Sequence, residues 1–191
     1  FFKQKTAYEI SARDWSSDVC SSDLVIAAWR QAQDQGLDSR LVLVGDGPLR
    51  SELEKQHPDV HFAGYQTGAD LSAHYASADL FLFASVTETF GNVTLEAMAS
   101  GLPVLAFKTA AAGELITSGI EGILIDTSPE QFTLACGQMA ADLDALKAMG
   151  LRGRQRALAC SWPAVVSQTT AVMRQAMNMH LTHHDLKVQT I

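Results

Sequence analysis

Between residues 25 and 125 short apolar runs alternate with helix-like stretches, and few folds accept that rhythm. The runs at 41–44 (LVLV), 60–63 (VHFA), 80–84 (LFLFA), 104–107 (VLAF) and 122–125 (GILI) are too short for buried helices. They are rich in Leu, Val, Ile and Phe, as buried strands are. The stretches 25–35, 49–56, 69–76, 92–100 and 111–118 read as helices, several closed by a glycine (Gly36, Gly101, Gly119). Asp46-Gly47-Pro48 turns into one of them with proline at its start. Strand–helix alternation with short connections requires a parallel sheet with helices on both faces, an α/β fold. Beyond Asp126 the pattern is helical only. Pro129 opens a segment expected to break at Gly137 and to end near Gly150, followed by helices over 151–160 and 162–177. Residues 179–191, with His180, His183 and His184, read as a disordered tail.

The stretch ASVTETFGNVTLEAMASGLPV, residues 84–104, is where such a fold would act. It runs from strand to polar loop to glycine to helix, and open parallel sheets take their ligands at the carboxyl ends of the strands. Glu88 lies on the loop and Glu96 on the helix, with seven residues between them and a Phe90-Gly91-Asn92 turn in the gap. Gly91 admits a close backbone approach because it lacks a Cβ. The helix start offers unpaired N–H groups suited to a phosphate. Glu96 sits beyond that turn, where a carboxylate is better matched to a vicinal diol such as a ribose. The plain alternative is that both acids are solvated residues favoured near a helix start by its dipole.

Length and composition bound the rest. A chain of 191 residues is one domain or part of a larger protein. At 47 % hydrophobic and 18 % charged it is ordinary for a soluble globular chain. The net charge is −7, against a broad nucleic-acid surface. Cys136 and Cys160 lie in helical patterns with no Cys-x-x-Cys pair and no nearby His spacing, which fits small core residues in a reducing compartment, whereas Cys20 belongs to the separate segment 1–24. No apolar run reaches the roughly 18 residues of a membrane helix. Arg152, Arg154 and Arg156 read as a solvated face rather than an anionic-membrane patch. A dinucleotide-binding oxidoreductase would need a third glycine after Gly45-Asp46-Gly47, and Arg50 stands in its place.

Residues 87–104, TETFGNVTLEAMASGLPV, resemble the signature of retaining GT-B glycosyltransferases, the large family that includes sucrose synthases and many bacterial mannosyl- and glucosyltransferases. LVLVGDGPLRSEL, VHFAGY, LSAHYASADLFLFAS and GELITSGIEGILI follow the family's order, so the resemblance covers residues 25–177. It implies the donor-binding C-terminal half of a GT-B fold: a Rossmann-like parallel sheet with flanking helices, truncated at its N-terminus and carrying a helical C-terminal tail. It implies transfer of a hexose from a nucleoside-diphosphate sugar, GDP-mannose or a UDP-sugar, to a hydroxyl acceptor with retention at the anomeric carbon. No metal or other cofactor is expected. Glu88 would contact the sugar near the reacting centre, and Glu96 would hold the ribose hydroxyls. The backbone of Phe90, Gly91 and Asn92 would meet the sugar hydroxyls and the diphosphate, with Val93 a further donor-binding position, while Gly45 and the Ala63-Gly64-Tyr65 turn would lie near the nucleotide, Gly64 and Tyr65 beside the base. Glu114 matches an acid common in the family, and a helix-start acid is the equal alternative. The loop sequence leans towards GDP-mannose-dependent mannosyltransferases and glycolipid-forming sulfoquinovosyltransferases. A sugar epimerase of the same shape fits the Phe-Gly-Asn turn and the Glu pair less well.

The resemblance also implies partners: a nucleotide-sugar donor, an N-terminal acceptor domain absent from this sequence, no nucleic acid, and an acceptor compatible with a glycolipid. A cytoplasmic site, peripheral at the inner membrane, is expected. Arg30 and Lys108 do not match the family's diphosphate-binding Arg and Lys, and both read as surface residues. Trp162-Pro163 resembles the last turn before a closing helix that crosses to the other half. Val165, Val166, Val172 and Met173 on that helix are therefore expected to be partly exposed. Residues 1–24 stand apart: KQKTAYEI and RDWSSDVCSSDL resemble the translation of a short-read sequencing adapter, a scar to set aside before reading a fold. The expected organisation is a non-native leader over 1–24, a donor-binding domain over 25–178 and the tail over 179–191. Without its acceptor half the chain is expected to be inactive in transfer. The alternative function is a non-catalytic nucleotide or nucleotide-sugar binding module.

Overall fold

A computed structural model of the chain describes residues 5–10, 21–87 and 90–188, with side chains over 22–87 and 90–177. Six parallel strands form one sheet: β1 (Lys5–Ile10), β2 (Ser39–Val44), β3 (His61–Gly64), β4 (Leu80–Phe83), β5 (Val104–Phe107) and β6 (Gly122–Ile125). Their order is β3-β2-β1-β4-β5-β6, so the chain winds outward from the middle in both directions. Helices α1 (Ser21–Asp34), α2 (Arg50–Gln56), α3 (Gly68–Ser77), α4 (Asn92–Ala99), α5 (Ala110–Leu115), α6 (Pro129–Ala141), α7 (Leu143–Ala159) and α8 (Trp162–Val188) complete the chain. Two compact units result, Phe1–Ala157 and Leu158–Ile191.

Period-two alternation sorts the strand residues onto two faces. Leu41, Leu43, Leu80, Leu82, Leu105 and Phe107 join one core cluster, covered by Val25, Ala28 and Trp29 of α1 and by Phe132, Cys136 and Met139 of α6. Val42, Val44, Phe81, Phe83, Val104 and Ala106 join the other, covered by Tyr75 of α3, Val93, Ala97 and Met98 of α4, Ala112 of α5 and Ala157 of α7. Both faces are buried, as the continuous apolar runs require. Ser128 caps α6 by accepting from the Gln131 N–H at 3.2 Å, with proline as the first helical residue.

Setting residues 1–24 aside leaves a gap in this fold. Lys5–Ile10 is the central strand, paired with β2 from Lys5↔Ser39 to Ile10↔Val44 and with β4 at Ala7↔Leu80 and Tyr8↔Phe81. Residues 21–24 add the first turn of α1, with Ser22 buried. Without β1 the facing edges of β2 and β4 would each leave a row of backbone groups unpaired at the centre of the sheet. Strand pairing runs through the backbone, so that slot demands an extended segment more than any particular side chains.

Four expectations about the helices change. The helical region after Pro129 runs through Gly137 and breaks at Asp142, whose carboxylate accepts the Asp144 and Ala145 N–H groups at 3.1 and 3.0 Å and caps α7. The expected stop near Gly150 is the interior of α7, because the glycine there serves packing rather than termination. A Cβ on Gly150 would run into the carbonyl oxygen of Gly101. Gly150→Ala is therefore expected to destabilise by about 1–3 kcal/mol despite alanine's better helix propensity, read as a lowered thermal midpoint. Helix α5 stops three residues short of the expected 118, since the buried Glu121 carboxylate takes the Thr117 N–H at 2.9 Å and turns the chain into β6. Helix α8 continues to Val188, into the segment read as a disordered tail, for residues 178–188 contain no glycine or proline to stop it.

Within α8, Val165, Val166, Val172 and Met173 are 44–65 % exposed, as expected of that face. Among the described residues no helix is long and apolar enough to cross a membrane.

Candidate functional site at the carboxyl edge of the sheet

The loops that leave the strands at their carboxyl ends are tied together in two groups. On the β2–β3 side, the Gly45 N–H donates to the Gly64 carbonyl at 2.9 Å. Gly64 has φ +72°, and a Cβ there would press on the Arg50 guanidinium at 2.6 Å. Arg50 lies across that glycine, bonded to Glu54 at 2.8 Å and 3.7 Å from Asp46. The Glu54 hydrogen bond is the largest influence holding its pKa above the ordinary value. Next to Gly64, Tyr65 presents its ring outward, 64 % exposed.

On the β4–β5 side, Gly91 adopts φ 84° and ψ 54° at the mouth of α4, a left-handed conformation that glycine takes without penalty. Thr109 Oγ1 donates to the Ser85 carbonyl at 3.3 Å, and the Ala111 N–H donates to the Phe90 carbonyl at 2.7 Å. The start of α5, which follows β5, thus braces the loop that precedes α4. Ala110, between those two donors, has φ 44°, uncommon for a residue with a side chain. Phe90 and Asn92 are exposed, whereas Val93 is buried in the second core cluster. The Val93 side chain belongs to the core, so any ligand contact at that position would run through its backbone. Thr94 beside it is buried, and among the described residues its hydroxyl has no hydrogen-bond partner.

Glu96 is exposed one turn into α4, and its Oε2 accepts a hydrogen bond from the Tyr75 hydroxyl at 3.0 Å. Tyr75 comes from α3, the helix that follows the Gly64-Tyr65 turn, and its ring is buried against Phe81 with centroids 6.1 Å apart. Burial first, then the Glu96 charge and the hydrogen bond to it, push the Tyr75 pKa well above 10 and keep the hydroxyl a donor. Sequence spacing does not signal this contact, since a lone aromatic on an amphipathic helix reads as core. Glu88, the other half of the acidic pair, lies outside the described residues.

The remaining candidates are elsewhere or solvated. Glu114 and Lys108 are exposed. Arg30 is paired with Asp59 at 2.8 Å and His57 Nδ1 at 3.2 Å, bracing α1 against the loop before β3. Among the described residues no cluster of three His, Cys, Asp or Glu is placed to hold a metal ion. A cavity of about 20 Å³ bounded by Trp29, Ser39, Leu80 and Cys136 lies where β2 and β4 begin, opposite the glycine turns. It has room for about one water, and its walls are mostly apolar.

Residues 16–142 match the family described as glycosyl transferases group 1. The chain belongs to that family. The match opens inside the segment set aside as a leader. This group 1 glycosyl transferase is 32 % identical over 177 residues to a GDP-mannose-dependent alpha-mannosyltransferase of Mycobacterium tuberculosis, covering 87 % of the chain and 46 % of that relative. It is 39 % identical over 95 residues to the sulfoquinovosyl transferase SQD2 of Arabidopsis thaliana, covering 49 % of the chain and 19 % of the relative. The group 1 chain thus spans less than half the length of either. Its fold superposes on the pneumococcal O-GlcNAc transferase GtfA, solved with UDP and GlcNAc, with a TM-score of 0.74 at 20 % identity over 90 % of this chain and 36 % of that one. It superposes on Anabaena HepE, solved with UDP and glucose, with a TM-score of 0.72 at 23 % identity over 91 % and 49 %. These neighbours establish the fold, a Rossmann-like sheet of the GT-B type with a helical C-terminal extension.

Proposed function

We propose that this chain binds the nucleotide-sugar donor of a retaining hexosyl transfer. The observation that carries the reading is Glu96, an acid held in place at the carboxyl edge of the sheet beside a left-handed glycine turn and a helix start. Its carboxylate would accept from the ribose hydroxyls. Phe90, Gly91, Asn92 and the Val93 backbone would face the sugar and diphosphate, with Glu88 near the reacting centre. Tyr65 and the Gly45–Gly64 turn would border the base. Because the Gly45 N–H is already bonded to Gly64, that glycine contributes close approach rather than a free donor.

The leaving diphosphate would be stabilised by protein donors, the electrostatic form of catalysis. Relatives named as GDP-mannose-dependent mannosyltransferases favour GDP-mannose as donor. The acceptor domain would be supplied by sequence outside this chain, with a glycolipid acceptor at the cytoplasmic membrane surface, and residues 1–24 would be adapter-derived. For the chain by itself, binding without turnover is the favoured activity, because an acceptor side is needed for transfer.

Titration with GDP, UDP, GDP-mannose and UDP-glucose, followed by ligand-observed NMR and paired with a transfer assay, tests this. Saturable binding of a nucleoside diphosphate, GDP foremost, without transfer is expected, and it should persist in EDTA because no metal ion is required. Turnover by the chain alone would overturn its assignment as a donor half. Failure to bind any of the four would overturn the donor reading.

A further inference from the structure

Resting on the donor reading, we infer that Tyr75 is a positioning residue for Glu96: its hydroxyl holds one carboxylate oxygen so that the other is presented to the two hydroxyls of a nucleotide ribose. Glu96 stands on an exposed helix face, where a glutamate ordinarily samples several rotamers. The Tyr75 ring, by contrast, is 3 % exposed and lies tilted at 54° against Phe81, within a cluster that includes Phe83, Ala97 and Met98. Packing therefore fixes the hydroxyl, and the hydroxyl fixes the acid. A hydrogen bond from a neutral donor to a carboxylate is of the stronger, charge-assisted kind. Its direction is unambiguous, because the ionised acid can only accept. The bond engages one carboxylate oxygen, Oε2, at 3.0 Å. Ordering a rotamer-rich acid before the ligand arrives removes part of the entropy cost of binding.

The contact also couples two halves of the edge. Tyr75 belongs to the helix that begins after the Gly64-Tyr65 turn, and Glu96 to the helix that begins after Gly91. A ligand lying across both turns would meet an acid held from one side by the element that frames the other.

Tyr75→Phe removes the hydroxyl and keeps the ring. GDP affinity is expected to fall about 3- to 10-fold, the effect of one hydrogen bond to a charged group acting indirectly. Binding of 2′,3′-dideoxy-GDP, which lacks the diol, should be equal in the parent and Tyr75→Phe chains, a result that a general packing defect would not give. In a Glu96→Ala background Tyr75→Phe should add nothing further. In the unsubstituted chain, labelled on tyrosine, the Tyr75 ring resonance should shift with GDP and stay put with the dideoxy nucleotide, a measurement independent of whether the variant folds. Unchanged GDP affinity in Tyr75→Phe, while Glu96→Ala is weakened, would overturn the positioning role and leave the donor reading intact. Equal losses for GDP and its dideoxy analogue would do the same. If the parent chain binds neither nucleotide, the donor reading falls and this one with it.

Discussion

Glu96→Ala is expected to weaken GDP binding by about 10- to 100-fold, with the fold retained. The side chain is exposed, and Ala97 and Met98 beside it supply the buried contacts of α4, so truncation removes chemistry rather than packing. What it removes is an ionised acceptor positioned by Tyr75 at 3.0 Å. Hydrogen bonds from ribose hydroxyls to such a group are each worth about 1.5–3 kcal/mol, and one lost in full accounts for the predicted range. Dideoxy-GDP should bind the variant and the parent alike, because it never used the acid. A titration in which Glu96→Ala binds GDP as tightly as the parent would remove Glu96 from the site and return it to the class of dipole-favoured surface acids.

Phe132→Ala should cost about 3–5 kcal/mol of stability and broaden or abolish the cooperative thermal transition. Phe132 is fully buried, and its ring meets Phe107 with centroids 5.4 Å apart. It plugs α6 into the face of the sheet that also receives α1, so the void would open between two helices and β5 at once. Relaxation there is restricted, since Met139 and Leu146 are already committed to the same cluster. A drop of less than about 1 kcal/mol by denaturant titration would mean that α6 is dispensable to the core.

The two outcomes separate what sits at the rim from what supports it. A variant that loses ligand and keeps its transition belongs to the site. A variant that loses its transition belongs to the scaffold. Val93 illustrates why the distinction matters: it lies within the loop motif, and its side chain packs in the second core cluster, which leaves only its backbone for a ligand. In a helix that begins at the rim, successive side chains point in different directions, so a motif read along the chain mixes outward chemistry with inward packing.

Much was legible in the residues themselves. Runs such as LFLF and VLAF, bounded by turn residues, are local statements of a strand buried on both sides, and their alternation with helices leaves a parallel sheet as the outcome. The glycine ahead of Asn92 reads as a point of close backbone approach, and the structure adds that it takes a left-handed conformation a side chain would oppose. Other features were decided only in three dimensions. Which segment fills the central slot between β2 and β4 depends on backbone pairing across the sheet, and Lys5–Ile10 carries no local sign that it would. Gly150 reads as a helix stop along the chain and is a contact point once Gly101 is packed against it. The Tyr75–Glu96 bond joins residues 21 positions apart on different helices. Short-range periodicity records which face of an element is apolar; it holds no record of which partner that face or its edge will meet, and this was set by how the helices cover the sheet.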